Sequence, residues 1–145
     1  MIRDFEDRDL EQASILYVEV FKHAPWNEGW KIEWVQDRLQ MIMDSPGFFG
    51  CLYEEDKTVV GAIVGRTNSF KGRRELEIVE LFVSPTHQSK GLGKKLLSAI
   101  EKSAKQGGYS HSTLITSRAA PAFDFYIKRG FKARSDMTFM SHSLD

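Results

Sequence analysis

One cysteine, Cys51, stands among 145 residues, so no disulfide closes within the chain, which fits a reducing compartment. Net charge is missing too, because 20 basic residues balance 20 acidic ones. That argues against a general nucleic-acid or membrane-surface binder, which would normally be basic. No apolar run approaches the roughly 18–20 residues needed to span a bilayer. The opening stretch Met1-Ile2-Arg3-Asp4-Phe5-Glu6-Asp7 lacks the apolar core of a signal peptide. A cytoplasmic protein is expected, with no nucleic acid and no membrane among its partners. The histidines, His23, His87, His111 and His142, show no metal-ligand spacing, and no metal is expected. Cys51 lies in a strand pattern with no histidine close in sequence, so it reads as a buried structural thiol rather than a nucleophile. With no internal repeat, low-complexity tract or linker, residues 1–145 read as a single domain with its own core.

The periodicity predicts elements in the order β-α-α-β-β-β-α-β-α-β-β. Leu10, Ala13, Leu16, Tyr17, Val20 and Phe21 fall at helical spacing after an N-cap at Asp7 or Asp9. A second helix carries Ile32, Val35, Leu39 and Ile42 on one face. Phe48–Tyr53 and Thr58–Arg66 read as a hairpin around Glu54-Glu55-Asp56-Lys57. Asn68–Arg74 reads as a polar loop, and Glu75–Val83 as the next strand. A helix follows Gly91 and ends at Gly107-Gly108. After a short strand over Ser112–Thr116, Pro121 opens another helix that Gly130 stops. Phe131–Ala133 and Thr138–Ser143 look like a final pair of strands. The fold class is α/β, with a mixed, mostly antiparallel central sheet of about six or seven strands and helices on both faces.

The most informative stretch is Val83-Ser84-Pro85-Thr86-His87-Gln88-Ser89-Lys90-Gly91-Leu92-Gly93. A strand that feeds a glycine-bearing turn and then a helix gathers free backbone N–H groups at the positive end of a helix dipole, which suits a pyrophosphate. It is not a Walker loop, because no Gly-Lys-Ser/Thr follows, and it is a poor dinucleotide fingerprint. The longer pattern Val-x-Pro-x-x-Gln-x-x-Gly-x-Gly, between a strand and a helix, resembles the acetyl-CoA-binding motif of the GNAT family of N-acetyltransferases. Downstream, Phe125-Tyr126-Ile127-Lys128-Arg129-Gly130-Phe131 is similar to the family's Phe-Tyr-x-x-x-Gly-Phe signature. The likeness is strongest from Glu77 to Phe131 and covers nearly the whole chain.

The resemblance implies a sheet whose two central strands splay apart around a bulge, with acetyl-CoA as cosubstrate. It implies that backbone N–H groups of Gln88, Ser89, Lys90, Gly91, Leu92, Gly93 and Lys94 cradle the pyrophosphate. Pantetheine would run along Leu81, Phe82 and Val83, and a freed N–H at Leu81 would polarise the thioester carbonyl. Gly91 and Gly93 suit this because no Cβ keeps phosphate oxygens from the backbone. Lys90 and Lys94 are either added phosphate charge or an ordinary solvated helix face. Many family members carry Asn where this chain has Ala119, and Ser117 or a backbone group would substitute.

Tyr126 is the candidate general acid for the departing thiolate. Taken alone it would be an ordinary helix tyrosine packing on a sheet, and the surrounding motif favours the catalytic role. Glu77 and Glu80 are the candidate bases, because an amine with pKa near about 10 must lose a proton before it attacks. Strict alternation puts these two on opposite faces, and the bulge implied by the resemblance would change that. Glu80 is the favoured choice. Trp26, Trp30 and Glu80 are expected to hold the acceptor, a small-molecule primary amine, whereas Trp34 is expected to pack between the first two helices. The alternatives are a protein or peptide amine as acceptor, or an acyl-CoA sensor that does not turn over. A homodimer through the C-terminal strands is an expectation by analogy with the family.

Overall fold

The computed structural model describes residues 1–145, which pack as two units, Met1–Leu114 and Ile115–Asp145. In the first unit, strands β1 (Ile2–Asp4), β2 (Phe49–Glu55), β3 (Thr58–Phe70) and β4 (Arg73–Val83) pair antiparallel in chain order. A short β5 (His111–Thr113) lies parallel to β4. Helices α1 (Leu10–Lys22) and α2 (Ile32–Met43) precede β2, and α3 (Leu92–Gln106) follows β4. The sheet is mixed, mostly antiparallel and flanked by helices on both faces. It has five strands rather than the expected six or seven.

The two faces follow from side-chain alternation. Leu52, Ala62, Val64 and Phe82 join Ala13, Leu16, Tyr17 and Val20 of α1 and Val35, Leu39 and Ile42 of α2 in one buried cluster. The helical residues recur every three or four positions, the spacing of a stripe buried on one side. The alternate sheet residues face α3. At Gly61 an added Cβ would stand 3.1 Å from the Leu96 side chain. Leu96, Leu97 and Ile100 of α3 are buried, and burying each stabilises the unit by about 1.5–3 kcal/mol.

Both hairpins close through two-residue turns in the left-handed region: Asp56 and Lys57, then Lys71 and Gly72. Two residues suffice for the second turn, so β3 and β4 run on to Phe70 and Arg73 where a longer loop was expected. The start of the chain is tied down by charge. Arg3 donates to both carboxylate oxygens of buried Asp9, at 2.7 and 2.9 Å, and to Glu54 at 2.6 Å. Asp9, which precedes α1, also accepts the Glu6 N–H at 2.8 Å. The hydrogen bonds from Arg3 and Glu6 outweigh burial, and the Asp9 carboxyl is held below the ordinary aspartate range.

One irregularity in β4 positions everything that follows. Val64 stands opposite Glu80 and Gly65 opposite Ile78, so Val79 is an extra residue, a β-bulge. Strict alternation would place Glu80 with Ile78 and Leu76 on the α3 face. The extra residue resets the phase, so Glu77, Val79, Glu80 and Phe82 all turn to the α1–α2 face. Val79 packs against the α1–α2 cluster, and Leu76 lines the opposite side with Ala104 of α3. Gly65 permits this, because a Cβ there would meet the Glu77 carbonyl oxygen at 2.6 Å and Leu76 Cδ1 at 3.0 Å.

In the second unit, α4 (Pro121–Lys128) has proline in its first turn, as expected. It ends where the Tyr126 carbonyl accepts the N–H groups of Arg129 and Phe131, with Gly130 left-handed between them. Tyr126 is buried, with its ring edge-on to Phe125 and Phe131 at 5.1 and 5.3 Å. Phe131–Ala133 and Thr138–Ser143 form no strands, contrary to expectation. Arg134 and Asp136 pair across the intervening bend, and the rest of the segment is exposed without a ladder partner. Two short strands with no neighbouring edge do not hold themselves together.

Two stability tests follow. Gly65→Ala is expected to lower unfolding free energy by about 2–3 kcal/mol, read by urea denaturation, because backbone must move to admit the methyl group. Arg3→Met is expected to cost about 2 kcal/mol near neutral pH by stranding the Asp9 carboxylate. The Asp9 contribution is present above the ordinary aspartate pKa and fades as pH falls through its lowered folded value. The wild-type and Arg3→Met midpoints are therefore expected to converge in acid.

Candidate active site

Glu80 is the most constrained carboxylate on the bulged strand. Its side chain is 11% exposed. A single oxygen, Oε1, accepts from Arg38 Nε at 2.8 Å and from the Tyr17 hydroxyl at 3.1 Å, and Arg38 Nη2 stands 2.7 Å from it in an ion pair. Burial pushes the Glu80 carboxyl above the ordinary glutamate range, against the opposing pull of Arg38 and Tyr17. Burial also raises the Tyr17 phenol, with the Glu80 charge adding to the effect. A carboxylate whose pKa is raised by burial holds a proton more readily than an ordinary glutamate, which suits a proton acceptor. Glu77 shares this face but is more open, and it pairs with Arg66 across the ladder at 3.1 and 3.3 Å.

The aromatic residues of the α1–α2 region line the approach. Trp30 stands edge-on to Tyr17 at 5.1 Å, and its indole N–H donates to Glu28 at 2.9 Å. Trp26 stands edge-on to Phe21 at 5.2 Å. Both are half-buried, and Trp30 is drawn beside Glu80 through Tyr17. Trp34 does not pack between the helices as expected. It is 51% exposed, with the Lys31 ammonium 5.1 Å from its ring. The buried stripe of α2 is Val35, Leu39 and Ile42, and Trp34 sits one residue, about 100°, away from it.

The edge of β4 opens where its neighbour stops. β5, the outermost strand, accompanies β4 only from Glu75 to Glu77, and no strand pairs with β4 on that side beyond it. Beyond it, hydrogen bonding to β3 fixes which groups point outward. The Ser84 N–H donates to the Val60 carbonyl at 2.8 Å, so the alternate residues Phe82 and Glu80 also bond toward β3. The backbone N–H and C=O of Leu81 and Val83 therefore point away from β3, along the edge that β5 leaves. The Gln88 side-chain amide donates to the Val83 carbonyl at 3.0 Å from that side. The Phe82 side chain is buried against Tyr17 at 5.2 Å and its backbone bonds toward β3, so Phe82 presents no group to this edge.

The following turn ends in a nest of amides. Ser89 and Gly91 are both left-handed, and Gly91 has no heavy atom within 4 Å of where a Cβ would stand. The first α3 hydrogen bond runs from the Lys95 N–H to the Gly91 carbonyl, which leaves the amides of Leu92, Gly93 and Lys94 without helical acceptors. Lys90 and Lys94 are exposed beside them, while the Leu92 side chain is core. The turn thus offers oriented donors, open space and nearby positive charge, which fits a pyrophosphate.

Cys51 is buried, and burial, with the Asp4 charge second, raises its thiol pKa to about 11, so it is no nucleophile. No helix is long and apolar enough to cross a membrane. In the second unit, Ser117 is exposed in the turn before α4, where its hydroxyl accepts the Ala119 N–H at 3.2 Å. Sequence reasoning missed Tyr17 and Arg38. Tyr17 fitted the apolar stripe of α1 too well to stand out. Arg38 flanks the α2 stripe between Val35 and Leu39, a position from which an arginine can reach the sheet.

Comparison with known proteins bears on this arrangement. The chain is 28% identical to an uncharacterised N-acetyltransferase of Methanocaldococcus jannaschii, over 92% of its own length and 61% of that protein's. It therefore spans somewhat less than two thirds of that relative. It is 29% identical to an L-methionine sulfoximine/L-methionine sulfone acetyltransferase of Salmonella typhimurium, over 88% of this chain and 86% of that one. Among solved structures, the aminoglycoside N-acetyltransferase AAC(6')-Iy in complex with CoA superposes with a TM-score of 0.76 at 16% identity, covering 98% of this chain and 93% of that one. Residues 11–131 match the model of the acetyltransferase (GNAT) family, a span running from α1 through the bulged strand and the amide-lined turn to Phe131. The chain belongs to the GNAT family of acetyltransferases.

Proposed function

We propose that the protein transfers the acetyl group of acetyl-CoA to a primary amine of a small molecule, by direct attack in a ternary complex. The observation that carries the reading is the Val79 bulge, which brings the buried Glu80 to the face lined by Trp26 and Trp30 beside an open strand edge. Membership of the family supports acetyl-CoA as donor, and the amide nest from Gln88 to Lys94 fits its pyrophosphate. The Salmonella relative and AAC(6')-Iy are both named for small-molecule acceptors, which supports the same class here.

Bound acetyl-CoA supplies an acyl thioester. The outward Leu81 N–H is assigned the hydrogen bond to its carbonyl oxygen, where negative charge develops. Glu80 takes the proton that the acceptor ammonium must lose, leaving a lone pair to form the new N–C bond as the C–S bond breaks. Tyr126, assigned through its place in the Phe-Tyr-x-x-x-Gly-Phe motif, gives its phenolic proton to the departing sulfur. The surplus proton on the acylated nitrogen passes through water to the phenolate left when the sulfur is protonated. Ser117 is assigned a pantetheine contact in place of the asparagine that Ala119 replaces. Because donor and acceptor meet directly, positioning supplies much of the rate.

Three measurements test this. Glu80→Gln is expected to lower kcat/KM by about 100-fold and to remove the acid limb of its pH profile. In the wild type that limb lies above the ordinary glutamate range, activity falling as pH drops and Glu80 takes up its proton. Loss of the limb in Glu77→Gln instead would assign the base to Glu77. Tyr126→Phe is expected to lower kcat by at least about tenfold while acetyl-CoA affinity by calorimetry stays within about twofold. Gly91→Val is expected to abolish acetyl-CoA binding by forcing a β-branched residue into a left-handed turn, and unchanged affinity would refute the assignment of the turn.

A further inference from the structure

Resting on the acetyl-transfer reading, we infer that the acceptor is an amine that carries its own carboxylate, an α-amino acid in the first instance, and that Arg38 is the residue that selects it. The argument starts from how the Arg38–Glu80 pair spends its hydrogen bonds. Arg38 Nε and the Tyr17 hydroxyl both donate to Oε1 of Glu80, and Arg38 Nη2 lies 2.7 Å from the same oxygen. Oε2 of Glu80 has no hydrogen-bond partner. The other edge of the Arg38 guanidinium, Nη1 with the outer proton of Nη2, has no carboxylate. The Arg38 side chain is 42% exposed, so this edge is reachable from solvent. The ion pair thus leaves one carboxylate oxygen of Glu80 and the outer guanidinium edge of Arg38 uncommitted to each other.

The charges sort the possible ligands. An acceptor carrying only an ammonium must approach Glu80 next to a guanidinium, and the like charges repel. An acceptor with a carboxylate one carbon from its amine turns that repulsion into attraction. Its carboxylate takes the open guanidinium edge, a planar fork matched to two carboxylate oxygens. Its amine then falls to Oε2 of Glu80, the group that must take its proton. The adjoining wall of Tyr17, Trp30, Phe21 and Trp26 leaves an apolar surface for a side chain. Glu28, held by the Trp30 indole, is the remaining acidic group there. Arg66, paired with Glu77 on the same sheet face, adds a second cation on that side.

Matched pairs test this: L-leucine, L-phenylalanine and L-methionine, each against its carboxamide. Turnover is followed as CoA thiol release from acetyl-CoA, and binding by calorimetry with CoA present. The carboxamides have the less basic amines, so free-base reactivity alone would favour them. In the wild type the acids are expected to exceed the carboxamides by at least about tenfold in kcat/KM and in affinity, the worth of a charge-assisted hydrogen bond. In Arg38→Gln that ratio is expected to fall to near one, and Arg38→Lys is expected to keep part of it. A general loss of fold or rate would lower both members of each pair and leave their ratio unchanged. Carboxamides used as well as acids by the wild type, or a ratio that survives Arg38→Gln, would overturn the inference while leaving acetyl transfer standing. Arg38-dependent binding of the acids with no thiol release would uphold the selectivity and overturn acetyl transfer. A lack of both binding and turnover for every member would overturn the inference.

Discussion

One residue too many in a strand governs the chemistry of this protein. Without Val79 as a bulge, Glu80 would share a face with Ile78 and Leu76, under α3 and away from the aromatic approach. The extra residue moves a carboxylate from one layer of the fold to the other. It does so just after the strand leaves its parallel neighbour at Glu77 and a few residues before it enters the amide-lined turn. Side-chain phase and the opening of the strand edge are thus set within one short stretch of backbone. Gly65 is the complement on the partner strand, the position where a side chain would collide with the displaced backbone.

The electrostatics of the site follow from that displacement. Glu80 arrives in a layer built for apolar packing, between Tyr17 and the α2 helix. A carboxylate there is desolvated, and a single arginine from the rim of α2 balances it. Arg38 does not bury fully, so the pair has one wet and one dry partner. A dry carboxylate under a wet cation is electrostatically different from the Arg66–Glu77 pair on the same face, whose two members are comparably open.

The helices and hairpins were legible because each obeys a local rule. The stripes of α1, α2 and α3 show their period directly, and Pro121 and Gly130 bracket α4 as proline and glycine commonly do. The turn after Val83 was legible as a strand-to-helix junction from its glycines and the elements on either side. What sequence does not reveal is phase after an irregularity. Glu77 and Glu80 alternate onto opposite faces on paper, and only pairing with Gly65 shows that they do not. Arg38 was hidden for a related reason: an arginine on a helix rim looks like solvated charge until the sheet beneath it offers a carboxylate. Phe131–Ser143 carried strand-like composition, but composition supplies no neighbouring edge. Trp34 was misplaced by size, since a large aromatic invites burial even one step off the stripe.

The way β4 parts from β5 after Glu77 has a consequence for how the protein behaves in a crowded solution. A strand with one side unpaired is a template on which other chains can grow, and folds usually cap or shorten such edges. Here the run from Ile78 to Val83 is short, begins at a bulge that twists it, and ends where the Gln88 amide already occupies the last carbonyl. A flat foreign strand would find few backbone groups in register before the edge curved away. A slender ligand with its own amides faces no such mismatch. The features that open this edge to a small molecule also make it a poor seed for aggregation.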